Sequence, residues 1–223
     1  MSRRSRRTAV SSGVLAVLAL CAVPVAFASP PVTPPAGTPN MAAMVLQPSD
    51  LAPGASVAAQ RYVAPPSAFT AEYAVVFTGA ATTDGTKFDS IEDDVVLAST
   101  PSPAATLEAS AQADFATPSW RRAFIKGSIK AAGKKAHLKA KDFKFSPTAS
   151  AGIGSASYVE IIKITQKHHS FEEGWVGFAD GDTYTGVLLV ANTIPQSDAI
   201  ALGQATDAHI QATPGSTGAT GTT

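Results

Sequence analysis

Asp180-Gly181 stands between two runs, 171–179 and 183–191, in which apolar or β-branched residues recur at alternate positions. Both residues of such a pair tolerate positive φ, so the chain can reverse within two residues; this is the strongest hairpin signal in the sequence. A tight hairpin commits its flanks to antiparallel pairing, and a third extended run, 157–167, comes before it. Asp84-Gly85 repeats the signal between runs 69–79 and 86–98, where Phe69, Ala71, Tyr73, Val75 and Phe77 share one face. Phe143 and Phe145 mark a further strand or edge segment.

Helical signals fall before, between and after these runs. Asn40 is placed to cap a short helix over 41–46, which Pro48 stops. Ser102-Pro103 opens a helix that runs to about Phe115. Pro118-Ser119 interrupts it, and Ser119 is placed to cap a second helix from Trp120 to about Ala132, with Trp120, Phe124 and Ile125 as its apolar stripe. Ser197 precedes a closing helix over 198–212, with Asp198 at its positive end and His209 near its negative end. Hairpin-linked strands with helices grouped between and after them predict an α+β fold. The expected form is a curved antiparallel sheet of about five or six strands with helices packed on one face.

The ends have a different character. Arg3, Arg4, Arg6 and Arg7 precede an apolar run from Gly13 to Ala28, which ends in Ala26-Phe27-Ala28 before Ser29. A cationic start, an apolar stretch and a small-x-small exit predict a secretory signal peptide over 1–28 and an extracytoplasmic protein, secreted or associated with the cell wall. The run is shorter than the roughly 20 residues that cross a bilayer as a helix, so no transmembrane span is expected in the mature form. Cys21, the single cysteine, lies within that run behind Leu20, so cleavage would leave no thiol for a disulfide or a metal site. Residues 29–39 form a Pro-rich spacer and 213–223 a disordered Gly/Thr tail, leaving one domain over 40–212. Removing the four signal arginines leaves 13 Lys+Arg against 17 Asp+Glu. A mildly acidic chain of this kind is not a general nucleic-acid binder.

Three local patterns carry a resemblance. Gln47-Pro48-Ser49-Asp50-Leu51-Ala52-Pro53-Gly54 follows the opening helix, and Ala151-Gly152-Ile153-Gly154-Ser155-Ala156 leads into a strand. The hairpin over 176–190 is followed by Ser197-Asp198-Ala199-Ile200-Ala201-Leu202 and then His209-Ile210. On these residues the chain resembles the extracytoplasmic sensor-like domains of mycobacterial-type receptor Ser/Thr kinases and related small envelope lipoproteins. The resemblance implies an antiparallel sheet backed by helices, with a concave face to receive a ligand.

Residues with catalytic potential form no recognised constellation. His168-His169 with Glu172-Glu173 offers metal-ligating types, but neighbours on a strand point to opposite faces, so a solvated turn is expected. Asp93-Asp94 are separated in the same way, and their strand is expected to be an edge that these charges protect from aggregation. No Gly-x-Ser-x-Gly elbow is present, and Gly152-Ile153-Gly154 is followed by a strand where a phosphate loop needs a helix. No enzyme, metal or cofactor is expected.

The charged stretch from Arg121 to Lys144 is the clearest candidate. Arg121, Arg122, Lys126, Lys130, Lys134, Lys135, Lys139, Lys141 and Lys144 place nine cations in 24 residues. The first eight are the expected surface for anionic envelope polymers or lipid headgroups. The leading expectation is a non-catalytic binding module with an apolar or amphipathic small molecule in a cleft between sheet and helices; docking through the basic stretch is the alternative.

Overall fold

A computed structural model describes residues 31–67, 69–133, 137–166 and 169–215. The signal segment, Lys134, Lys135, His168 and most of the Gly/Thr tail lie outside the described residues.

The strands are β1 (Ser56–Val63), β2 (Phe69–Ala81), β3 (Lys87–Ala98), β4 (Phe143–Phe145), β5 (Ala156–Gln166), β6 (His169–Asp180) and β7 (Thr183–Ala191). They form one sheet in the order β1-β2-β3-β7-β6-β5-β4, and every neighbouring pair is antiparallel. Two meanders therefore meet at the β3–β7 seam. The sheet has seven strands, more than the five or six expected. The added one, β1, is an alanine-containing edge strand whose register slips between Val57 and Ala59, which blurs its alternation.

The last hairpin forms, displaced by one residue from its expected centre. Asp180 pairs with Thr183, so Gly181 and Asp182 are the loop, and Gly181 has φ +56°. Glycine at the first central position suits the primed turns that match strand twist.

The helices are α1 (Pro101–Phe115), α2 (Pro118–Ala132) and α3 (Gln196–Ala212). Thr117, not Ser119, caps α2: its side chain accepts from the Trp120 N–H at 3.2 Å. Pro195 stands at the start of α3 and no side chain caps it there; Ser197 donates instead to Asp198 at 3.1 Å.

Side chains alternate across a strand, so pairing sorts the sheet into two faces, and helices cover both. This corrects the expectation of helices on one face only. On one face, Phe77, Ile91, Val95, Val176, Val187 and Leu189 pack with Ala199, Leu202 and Ile210 of α3 and with Met41, Met44 and Leu46. On the other, Val96, Ala179 and Tyr184 meet Ala104 of α1. Farther along that second face, Ile162, Ile164 and Phe143 meet Phe124 of α2. The physical reason lies in the strands: β3, β6 and β7 are buried on both sides, as Val95 and Val96 show, and a doubly buried strand needs cover on both sides.

β3 is also central, not an edge. It pairs with β2 and β7, and Asp93 is fully buried. The expected edge-protecting role of Asp93-Asp94 is therefore excluded by position.

Candidate functional site

The cationic stretch begins on α2, which aromatic packing holds to the sheet. Phe124 is buried, its ring 5.3 Å from Trp120, 5.8 Å from Phe145 and 6.2 Å from Phe143. Arg121 points into this packing. Its guanidinium donates to Glu160 at 3.0 Å and to the backbone oxygens of Phe115 and Ser146, and it lies 4.9 Å from the Phe145 ring centre. Thr148 donates to the other Glu160 oxygen. Burial raises the Glu160 carboxyl, and the Thr148 and Arg121 contacts oppose that shift.

The remaining described cations face outward. Arg122, Lys126 and Lys130 are exposed at four-residue spacing, and Lys139, Lys141 and Lys144 are exposed beyond the helix. Residues four apart lie along one line of a helix. The structure thus groups Arg122, Lys126 and Lys130 on a fixed outer face, while Arg121 is committed to the interior.

Three apolar clusters lie between the sheet and its helices. Two hollows among the described residues, about 220 and 270 Å³, lie away from the helix-covered clusters. One is bordered by Val32, Pro34, Pro35 and the β1–β2 strands, the other by Thr86, Lys87, Asn192, Thr193 and Pro195.

The α1-side face holds a second concentration of charge. Strand pairing sets Tyr158, Gly177, Gly186, Asp94, Ala74 and Arg61 in one row across six strands' worth of sheet, counted through β5, β6, β7, β3, β2 and β1. The paired glycines leave room in the row: a methyl group at Gly177 would come within 2.4 Å of the Tyr158 ring, and one at Gly186 within 3.1 Å of an Asp94 oxygen. Glu72 and Glu92 lie in the flanking rows on the same face. From α1, Glu108 is fully buried, and neither carboxylate oxygen has a hydrogen-bond partner among the described residues.

Titration follows this geometry. Burial pushes Glu108 up to about 8. Burial and then the charge of Glu92 push Glu72 up to about 7. Burial raises Asp94 well above the carboxylate range, and Glu72, Glu92 and Asp93 add to it. The Tyr158 and Tyr184 hydroxyls meet each other, and burial raises both, with Glu108 and Asp94 contributing.

His169 is exposed at the start of β6, and Glu172 pairs with Lys163 at 3.7 Å and accepts from the Ile194 N–H. Glu173 is buried, raised to about 7 by burial. His209 meets Asp50 at 2.9 Å. No group of three or more His, Cys, Asp or Glu side chains among the described residues is arranged to hold a metal ion.

The acid–tyrosine row was missed from sequence, because Glu108 comes to it from a helix and the others from four strands. The one local sign was a glycine inside each of two strands, Gly177 and Gly186, which marks close approach of another group.

No family model matches the chain, and no curated protein matches it. Among solved structures it is similar to the extracellular domain of PknH from Mycobacterium tuberculosis, at 13% identity and a TM-score of 0.46, over 75% of this chain and 93% of that one.

Proposed function

We propose that this protein is an extracytoplasmic, non-catalytic binding module that docks on anionic envelope polymers through the outer face of α2. The observation that carries the reading is the exposed line Arg122, Lys126 and Lys130 on a helix whose opposite face is locked by Phe124, Trp120 and Arg121. A fixed line of like charge keeps its field without ordering side chains from scratch on each encounter. Lys139 and Lys141 extend the field.

Binding of the purified protein to an anionic polymer, and separately to anionic vesicles, tests the reading across a salt series. Exposed charges are screened beyond about 8 Å at physiological ionic strength, so polymer binding should fall steeply with salt. Reversal of Arg122, Lys126 and Lys130 to Glu should abolish it. Binding that survives reversal, or a wild type that ignores the polymer at low salt, removes the proposal. Binding to vesicles alone replaces the polymer by lipid headgroups.

A further inference from the structure

The two edges of the sheet are built differently. β4 is three residues long and carries exposed Lys144, and both features keep an edge from pairing with another chain. β1 is eight residues long, and its Ser56, Val57, Ala58 and Gln60 are exposed. Residues 56–60 contain no charge and no proline. Val57, at 40% exposure, and Val32, at 38%, are the exposed large apolar side chains among the described residues. Both belong to this edge, since Val32 bonds to β1. A long edge strand with apolar exposure and no charge is open to a further strand.

The outer side of β1 accepts an extended chain at one end. The Val32 N–H donates to the Tyr62 carbonyl oxygen at 3.2 Å, so that oxygen faces away from β2. Backbone groups alternate in direction along a strand, and Gln60 therefore directs its N–H and C=O the same way. The segment that holds Val32 cannot carry the ladder on, because Pro31, Pro34 and Pro35 have no N–H. Among the described residues, no backbone hydrogen bond from outside β2 reaches residues 56–60. These groups fit another backbone, and the run fits its own copy. Antiparallel pairing of a strand with its copy is two-fold symmetric and closes as a dimer. Centred anywhere within 56–60, it sets each Arg61, the one charge of β1, opposite a residue of 51–59, and all of those are uncharged. The two Arg61 side chains therefore never stand opposite each other, and no like charge opposes the pairing.

We propose that the outer edge of β1 over residues 56–60 pairs antiparallel with the same run of a second copy, giving a two-fold dimer whose sheet continues across both chains. The surface is separate from the outer face of α2. The register slip between Val57 and Ala59 twists the run and keeps the shared ladder short. A contact of that size falls below the roughly 1,200 Å² of a small stable interface, so the dimer is reversible, with a dissociation constant of about 1 µM or weaker.

Sedimentation velocity of the purified protein, from about 1 µM to about 1 mM, reads the association. Amide hydrogen exchange over the same range locates it. The expected result is a monomer–dimer equilibrium, with protection of amides within 56–60 that rises with protein concentration. Val57→Lys and Ala58→Glu each place like charges along the shared edge and should weaken dimerisation by roughly tenfold or more. Both positions are exposed, and thermal melting checks that each variant is folded. Reversal of Arg122, Lys126 and Lys130 should leave the dimer unchanged. A wild type that stays monomeric throughout, dimerisation unchanged in both edge variants, or concentration-dependent protection confined to other strands overturns the proposal. A monomer that instead binds an unrelated neutral extended peptide, with that binding lost in Val57→Lys, replaces the second copy by a foreign strand and also overturns it.

Discussion

On the α3 side of the sheet, Asp93 is fully buried, and its Oδ2 accepts from the Leu46 N–H at 2.7 Å and the Thr206 hydroxyl at 2.9 Å. One strand position away, Asp94 faces α1, where Glu108 is equally buried and neither of its oxygens has a partner among the described residues. Asp93 ties the opening segment and α3 to the middle of the sheet. Glu108 ties nothing. A buried carboxyl that holds two elements together is accounted for by the fold, whereas one whose oxygens have no hydrogen-bond partner among the described residues is a cost the fold does not repay. Sites where local rules fail without local compensation are where function is expected.

The largest expected effect belongs to the α3 side. Phe77→Ala removes a fully buried ring from the main cluster and should destabilise by about 3–5 kcal/mol in chemical denaturation. If the loss is under about 1 kcal/mol, that face is not the principal core.

The α1 side should respond to pH in the opposite sense to an ordinary salt-bridged acid. Glu108 titrates near 8 when folded and near 4.5 otherwise. Between those values the folded state binds more protons, so stability is fully present below about pH 4.5 and is lost as pH rises through about 8. Glu72 and Glu173 on the same face, and Asp93 on the other, each raised to about 7, act with the same sign. Unfolding free energies at pH 5 and pH 8 should therefore differ by roughly a few kcal/mol. Glu108→Gln should reduce that difference and stabilise the protein at pH 8. A flat profile, or a Gln variant less stable at pH 8, would show that Glu108 has a partner that stabilises its charge.

Asp93→Ala sharpens the contrast. It leaves the buried Leu46 N–H and the Thr206 hydroxyl without their acceptor, and should destabilise by about 1–3 kcal/mol. A variant as stable as wild type would place Asp93 in the same category as Glu108.

The smallest effect should come from outside both faces. Reversal of exposed Arg122, Lys126 and Lys130 should change stability by about 0.5 kcal/mol or less, as solvated substitutions do. A larger loss in a denaturant series would mean that these side chains support α2.

Local chemistry reached far into this fold. The Gly181 turn, the alternation of Tyr73, Val75 and Phe77, and the stripe of Trp120, Phe124 and Ile125 each follow from neighbours a few residues apart, and each forms close to its expected place. Turn chemistry and side-chain period act over that range. The exposed line Arg122, Lys126 and Lys130 was legible for the same reason. Arg121 was not, because its inward turn depends on Glu160, Phe145 and Ser146, which come from β4, β5 and the segment between them. The position of β3 at the seam of two meanders could not be read from 87–98, since strand order depends on which strands find each other across a long connection. That pairing buried Asp93, gave α1 and α3 opposite faces, and set Asp94 against Gly186. Turns and periods are short-range and are written along the chain; the register that assembles one row from six strands is long-range, and only the packed sheet decides it.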